Sequence, residues 1–174
     1  MGRSHKDQVD LNADRAAEQW PAIDPLVEAI VNRIAKTARY LDRLVGETAS
    51  RHGLNASDYR LLVALWKGGP QSPGELGKRL LVSSGVMTNR LDRLEGKGLV
   101  GREPHPHDRR AVVITLTEAG SATLSEMISE QAAKERRLLS PLEVSQRGDL
   151  NELMKSLMEA FDPSIRVEEG GLSS

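Results

Sequence analysis

The sequence contains no cysteine. Disulfides, thiolate metal sites, a catalytic thiol and a thiol-based redox sensor are therefore excluded. Aromatic residues make up only 3% of the chain, so leucine, valine, isoleucine and methionine must supply its core. A composition poor in aromatics and rich in alanine, leucine, glutamate and arginine favours helices packed on helices.

Long apolar runs are also missing from the sequence. No stretch reaches the roughly 20 apolar residues that a membrane helix needs, and residues 1–11 do not have the pattern of a secretory leader. We therefore expect a soluble, cytoplasmic protein without membrane contact.

Sequence motifs for catalysis are absent as well. The chain has no nucleophile elbow, no glycine-rich phosphate loop and no metalloprotease motif. His105, His107 and Asp108 carry ligand types that suit zinc or nickel, but they supply few ligands on an exposed turn. His52 precedes Gly53 and is explained as a cation near a helix end. No catalytic residue, cofactor or metal site is predicted.

Charge is distributed unevenly along the chain. The formal net charge is −1, yet residues 78–110 contain eight Lys/Arg and four Asp/Glu, against 16 and 21 in the remainder. A basic segment in an otherwise acidic protein indicates a surface that binds a polyanion. The alternative is a solvated face without a partner.

The N-terminal part predicts a short helix followed by a long one. Asn12 is the expected cap of the short helix, which ends at Trp20 before Pro21. Asp24-Pro25 starts a helix of about 27 residues that closes at His52-Gly53. Its apolar residues recur at alternating spacings of three and four over about 40 Å, which favours packing on a partner subunit. We assign 1–23 to an N-terminal extension and 24–53 to a dimerisation helix.

Residues 54–117 predict two helices in sequence, a tight turn, a third helix and a hairpin. Asn55 with Asp58 begins the first helix, and its apolar face is expected to hold Tyr59, Leu62, Val63, Leu65 and Trp66. Ser72-Pro73-Gly74-Glu75 is a capping box for the second. Ser83 or Ser84 caps the third, which ends at Gly96 and should bury Met87, Leu91 and Leu94.

A strand beginning at Leu99-Val100 and its partner at 111–117 predict a hairpin whose charged turn is 103–110. Residues 118–162 predict C-terminal dimerisation helices, the second capped at Ser140, and 163–174 a disordered tail. The fold class is therefore mainly α with a small β-hairpin, arranged as a winged helix-turn-helix with N- and C-terminal dimerisation helices.

This layout suits duplex DNA, because one helix fits the major groove and residues near its start reach base edges. The side chains expected there are short hydrogen-bonding groups and two long cations: Ser84, Thr88, Asn89, Arg90 and Arg93. Gly85 allows the backbone to approach closely. One of Ser83 and Ser84 caps the helix and the other contacts phosphate. Arg109 and Arg110, oriented by Asp108, suit a narrow minor groove.

The stretches SSGVMTNRLDRLEGKGLV, HDRR and AVVITLTEAG resemble the multiple-antibiotic-resistance regulator (MarR) family. Asp108, Arg110, Leu116 and Thr117 match its wing pattern. The resemblance covers residues 24–161. It implies a homodimer, repressing or activating from a palindromic operator on double-stranded DNA, with interleaved terminal helices and a ligand site between them and the winged module. The lack of cysteine argues against its peroxide-sensing branch.

Trp20 in an extra N-terminal helix is similar to the urate-responsive subgroup of that family. The aspartate of that subgroup falls on Arg60 here. The resemblance implies a small aromatic or anionic effector, with Trp20, His52, Arg60 and Trp66 as candidate lining residues. Core packing is the alternative role of Trp20.

The sequence thus predicts a ligand-responsive, sequence-specific DNA-binding regulator, most simply a repressor, without enzymatic activity. The alternative is a winged-helix scaffold that binds a protein partner and lacks sequence-specific DNA binding.

Overall fold

The computed structural model describes residues 5–105 and 108–162, without the side chains of 105 and 108–111. Its elements are α1 (Gln8–Gln19), α2 (Pro25–Arg51), α3 (Ala56–Gly68), α4 (Pro73–Arg79), α5 (Ser84–Gly96), β1 (Val100–His105), β2 (Asp108–Leu116), α6 (Glu118–Leu138) and α7 (Val144–Phe161). The prediction of a mainly helical chain with a small hairpin is confirmed.

Helix α1 begins earlier than predicted, and the expected cap was wrong. Asp7 is the cap, with its carboxylate accepting hydrogen bonds from the backbone N–H groups of Val9 and Asp10. Asn12 lies within the helix. Arg33 of α2 donates to Asp7 at 3.1 Å and to Asp10 at 2.9 Å, which ties α1 to α2. The pKa of Asp7 lies below its usual range. The main cause is the hydrogen bond that its carboxylate accepts from the Asp10 N–H, followed by those from the Val9 N–H and from Arg33.

Helix α2 has the predicted start and length. Asp24 caps it, Pro25 is its first residue, and the chain leaves it through His52 and through Gly53 at φ 67°. The C-terminal half packs inward with Leu44, Thr48 and Ala49 buried. The N-terminal half instead exposes large apolar side chains in this single chain: Leu26, Val27, Ile30, Val31 and Ile34.

The core lies between α3, α4, α5, the base of the hairpin and the first part of α6. The predicted α5 core positions are confirmed, and the largest fully buried side chains are Leu61, Leu62, Leu76, Met87, Leu91, Leu94, Ile114, Leu124 and Met127. One assignment on α3 was wrong. Trp66 is 60% exposed, and Leu61, five residues earlier, is buried in the core.

The hairpin is longer and its turn shorter than predicted. Strands β1 and β2 pair antiparallel from Val100 with Leu116 to Pro104 with Val112, and an irregularity precedes the pairing of His105 with Asp108. Residues 103–105 and 108–110, assigned to the turn, are therefore strand. Gln71 adds a bridge to Ile114, with backbone N···O distances of 2.8 and 3.2 Å. This bridge fixes the hairpin base against the start of α4.

Helix α6 begins close against that base. The Thr117 hydroxyl accepts a hydrogen bond from the Gly120 N–H and donates to the Gly98 carbonyl. A Cβ atom at Gly120 would lie 1.9 Å from the Leu99 carbonyl oxygen. Only glycine allows the helix to approach the backbone this closely.

The chain divides into two compact units after Gln131. In the second unit, Ser140 was wrongly predicted to cap α7; its hydroxyl donates to the Arg137 carbonyl at the end of α6. The cap of α7 is Glu143, whose N–H donates to the Gln146 side chain at 2.9 Å. Helix α7 has no buried residue. Across the described ranges, no helix is long and apolar enough to span a bilayer.

Candidate nucleic-acid interface

Helices α4 and α5 are joined by a tight turn of four residues, 80–83. Ser72 and Glu75 form the predicted capping box of α4. The turn passes through Leu81, which has φ 52° and is 92% exposed, before the Val82 N–H donates to the Gly77 carbonyl at 3.0 Å. A left-handed conformation at a leucine is unfavourable, so the turn is held in place by the packing of the two helices around it.

The start of α5 is capped by Ser83, whose hydroxyl accepts from the Val86 N–H. Ser84, the other predicted candidate, is the first residue of the helix, and its side chain is exposed. Its carbonyl accepts from the Thr88 hydroxyl at 3.0 Å. The structure thus separates the two serines: one closes the helix and the other is free to meet a ligand.

The outer surface of α5 lies between two open depressions. Gly85 and Asn89 are exposed on this surface, and a Cβ atom at Gly85 would meet no atom within 4 Å. The first depression, about 390 Å³, is lined by Ser84 and Thr88 together with residues of α4 and the turn. The second, about 400 Å³, is lined by residues 55–57 and by Val86, Asn89, Arg90 and Arg93. Four of the predicted contact residues are exposed and Arg90 is half-buried.

Arg93 has a structural contact that the sequence did not predict. Its guanidinium forms an ion pair with Asp58, whose side chain is 2% exposed. Asp58 also accepts from the Asn55 N–H at 3.1 Å, so one carboxylate joins the start of α3 to α5. A buried carboxylate needs such a partner because removal from water is costly. Arg93 therefore positions the helix in addition to presenting charge.

Arg102 was missed in the sequence. From strand β1 it forms an ion pair with Asp92 and approaches Glu95 at 3.4 Å, both on α5. It fixes the hairpin to this helix and neutralises acidic groups beside the cationic surface. A cation on a strand directly after a helix with two exposed acids was the available signal.

The backbone of Asp108, Arg109 and Arg110 lies in β2, and not in the predicted turn. Their side chains fall outside the described part of the structure. His107, a candidate metal ligand in the sequence, also lies outside the described residues.

Comparisons with known proteins agree with this arrangement. A family model described as the MarR family matches residues 54–112, which span α3 to the middle of the hairpin. The transcriptional regulator PecS of Dickeya dadantii is 28% identical over 151 residues, covering 83% of this chain and 91% of that protein. A solved structure of the multiple antibiotic resistance repressor MarR is 30% identical with a TM-score of 0.67, covering 73% of this chain and 93% of that one.

The chain belongs to the MarR family.

These MarR relatives are transcriptional regulators and not enzymes, and this chain is a transcription regulator with a winged helix-turn-helix DNA-binding module. A cysteine-to-serine mutant of MarR from Escherichia coli, solved in complex with operator DNA, is 28% identical with a TM-score of 0.63. That match covers 82% of this chain and 96% of the other.

The four residues predicted to line an effector site in this MarR-family chain have separate surroundings. Trp20 is 54% exposed at the end of α1. Arg60 forms an ion pair with Asp42 of α2. His52 is half-buried, with its ring nitrogens 3.8 Å from carboxylate oxygens of Glu126 and Glu130.

Trp66, the fourth, is exposed on α3, six residues after Arg60, which places the two side chains about 120° apart around the helix. No hydrogen bond or ion pair joins these residues to one another in the described structure, and their role remains a prediction.

Proposed function

We propose that this protein is a homodimeric repressor that recognises a palindromic DNA operator and releases it on binding a small aromatic or anionic molecule. The observation that carries the proposal is the outer surface of α5. It presents small and hydrogen-bonding groups at its N-terminal end and cations further along, while its opposite side is buried in the core.

In the proposed complex, the N-terminal end of α5 enters the major groove. Thr88 and Asn89 are placed to reach base edges, Arg90 suits guanine or phosphate, and Ser84 with the first N–H groups of the helix suits phosphate. Ser83 keeps its role as cap. Because Arg93 is committed to Asp58, its proposed contribution is a phosphate contact from a fixed position.

The hairpin is proposed as the wing. Arg109 and Arg110, with Asp108 as the orienting carboxylate, are assigned to the minor groove on the basis of the sequence pattern. The extended strands and the ion pairs of Arg102 support this role, because they fix the base of the hairpin relative to α5.

Dimerisation is proposed through residues 24–53 and 118–162, with 54–117 as the DNA-binding region. The support is apolar surface left uncovered in the single chain. On α7 it recurs at helical spacing and comprises Leu150, Leu153, Met154, Leu157, Met158 and Phe161. Helices in proteins are stabilised mostly by packing of an apolar face, and this 18-residue helix has no buried residue in the single chain, so a second copy of the chain is the proposed covering partner.

Repression is proposed because the MarR repressor is similar over most of its length. The effector class is proposed from the family resemblance. A thermal-shift screen of small anionic aromatic compounds tests it, with stabilisation that disappears in Trp20→Ala or Arg60→Ala as the supporting result. Trp66→Ala and His52→Ala complete the set. If every variant responds like the parent protein, the effector lies elsewhere.

The function is tested by fluorescence anisotropy with labelled DNA from upstream of the protein's own gene. We expect saturable binding that survives excess unrelated DNA and that weakens at least tenfold in Asn89→Ala, because a base contact is lost. Binding that unrelated DNA removes completely would reject the proposal. It would leave the protein-binding scaffold, which a pull-down with charge-reversed α5 variants then tests.

A further inference from the structure

Val86 is an apolar residue on the outer side of α5 whose exposure is explained neither by the core nor by the proposed base and phosphate contacts. It is the third residue of the helix and is 42% exposed. The core contacts of α5 are made instead by Met87, Leu91 and Leu94, which are all nearly fully buried.

The surroundings of Val86 are polar. It lines the second depression with Asn89, Arg90 and Arg93, which follow it at spacings of three, four and seven along one side of the helix. The Val86 N–H is occupied by the Ser83 hydroxyl, so the residue presents only its two methyl groups. A β-branched side chain is not favoured in a helix, and Val86 lies outside the hydrophobic core.

The major groove contains one apolar group, the C5-methyl of thymine. Beside it, each T·A pair presents the O4 acceptor and the N7 and N6 groups of adenine, which suit an asparagine amide. Val86 and Asn89 therefore form a combination of methyl groups and amide that complements a T·A step.

We propose that Val86 is a specificity-determining residue whose methyl groups contact the C5-methyl of a thymine in each operator half-site. This inference rests on the proposed function and goes beyond it by naming the base and the atom that are read. DNA with cytosine or uracil at that position is expected to bind less tightly, because both bases lack the methyl group.

The experiment begins with selection of binding sites for the full-length protein from a randomised duplex. Each thymine of the selected site is then replaced in turn by uracil, which removes one methyl group and keeps the Watson–Crick pair. Affinity is measured by anisotropy for the parent protein, for Val86→Ala and for Val144→Ala. Val144 is an exposed valine at the first position of α7, outside α5.

We expect one thymine per half-site at which uracil weakens the parent protein about fourfold, the effect of exposing one methyl-sized group. Val144→Ala should show the same fourfold difference in affinity between the thymine and uracil sites. Val86→Ala should bind the two sites with affinities within about twofold of each other. Alanine is a better helix former, so Val86→Ala is expected to fold.

Two other results are distinguishable. If selection yields no preferred sequence, the proposed function itself fails. If a preferred sequence emerges and the thymine–uracil difference is absent, or persists unchanged in Val86→Ala, the function stands and the role of Val86 is overturned.

Discussion

At the scale of single residues, replacement of Gly85 should have opposite effects on the stability of the protein and on its affinity for DNA. A Cβ atom at this position would meet no atom within 4 Å. Gly85→Ala should therefore stabilise the free protein by about 0.5–1 kcal/mol through helix propensity. The same methyl group would stand between the helix backbone and the duplex, so DNA binding should weaken. Urea denaturation and anisotropy measure the two effects.

Gly148→Ala on α7 is the control for Gly85→Ala, since its Cβ also meets open space. It should raise stability without affecting DNA binding. Equal affinity of Gly85→Ala and the parent protein would show that the duplex does not approach this part of α5.

Arg90 and Arg93 both lie on α5, but their replacement by alanine should affect stability differently. Arg93→Ala should lower the free energy of unfolding by about 1–3 kcal/mol, because Asp58 would stay buried without its cation. Because water screens the partly exposed guanidinium, this loss of stability should be smaller than that for a fully buried ion pair. Arg90→Ala should weaken DNA binding and leave stability within about 0.5 kcal/mol. Equal stability of the two variants in urea would refute the structural role of Arg93.

Several contacts between residues close in the chain could be predicted from the sequence, although the caps of α1 and α7 were not. The caps Asp24, Asn55 and Ser72 were predicted because each pairs with a group two or three residues away. The Arg93 ion pair spans 35 residues, and nothing in the local pattern specifies it. Trp66 was misplaced for a related reason, since the α3 pattern leaves two faces apolar and tertiary packing chooses between them.

At the scale of elements, the hairpin should contribute charge to DNA binding. Arg110→Ala is expected to lower affinity and to reduce the slope of log K against log salt concentration by about 1.8, the release of one counterion at each of the two hairpins of the dimer. Arg137→Ala, near the end of α6, should change neither quantity. An unchanged slope in Arg110→Ala would exclude the hairpin as a DNA contact.

Element boundaries show where the sequence pattern is insufficient. The hairpin turn was predicted too long because Pro104 and the charged residues after it are typical of turns. The pairing of β1 with β2 and the bridge from Gln71 nevertheless extend the strands. Likewise α7 starts later than Ser140, because Arg147 donates to the Leu139 and Leu142 carbonyls and holds this segment as a turn.

At the scale of the whole molecule, recognition of a palindromic site by paired α5 helices requires two copies of the chain. Leu153→Glu combined with Leu157→Glu should convert a dimer into a 19.1 kDa monomer in light scattering, because two carboxylates would enter an apolar interface. The affinity of this monomeric double variant for a palindromic site should be lower than that of the parent protein. Lys155→Glu, an exposed change on the same helix, is the control and should remain dimeric. A parent protein that is already monomeric at micromolar concentration would refute the assembly.

Recognition of DNA by a pair of α5 helices is tested most directly by dimethyl sulfate protection on a selected operator, which reports guanine N7 in the major groove and adenine N3 in the minor groove. Two α5 helices in one dimer should protect guanine N7 in two segments about 10 base pairs apart, with adenine N3 protected beside them by the hairpins. Bound complexes that leave guanine N7 fully reactive, or protect a single segment, would contradict recognition of DNA by a pair of α5 helices.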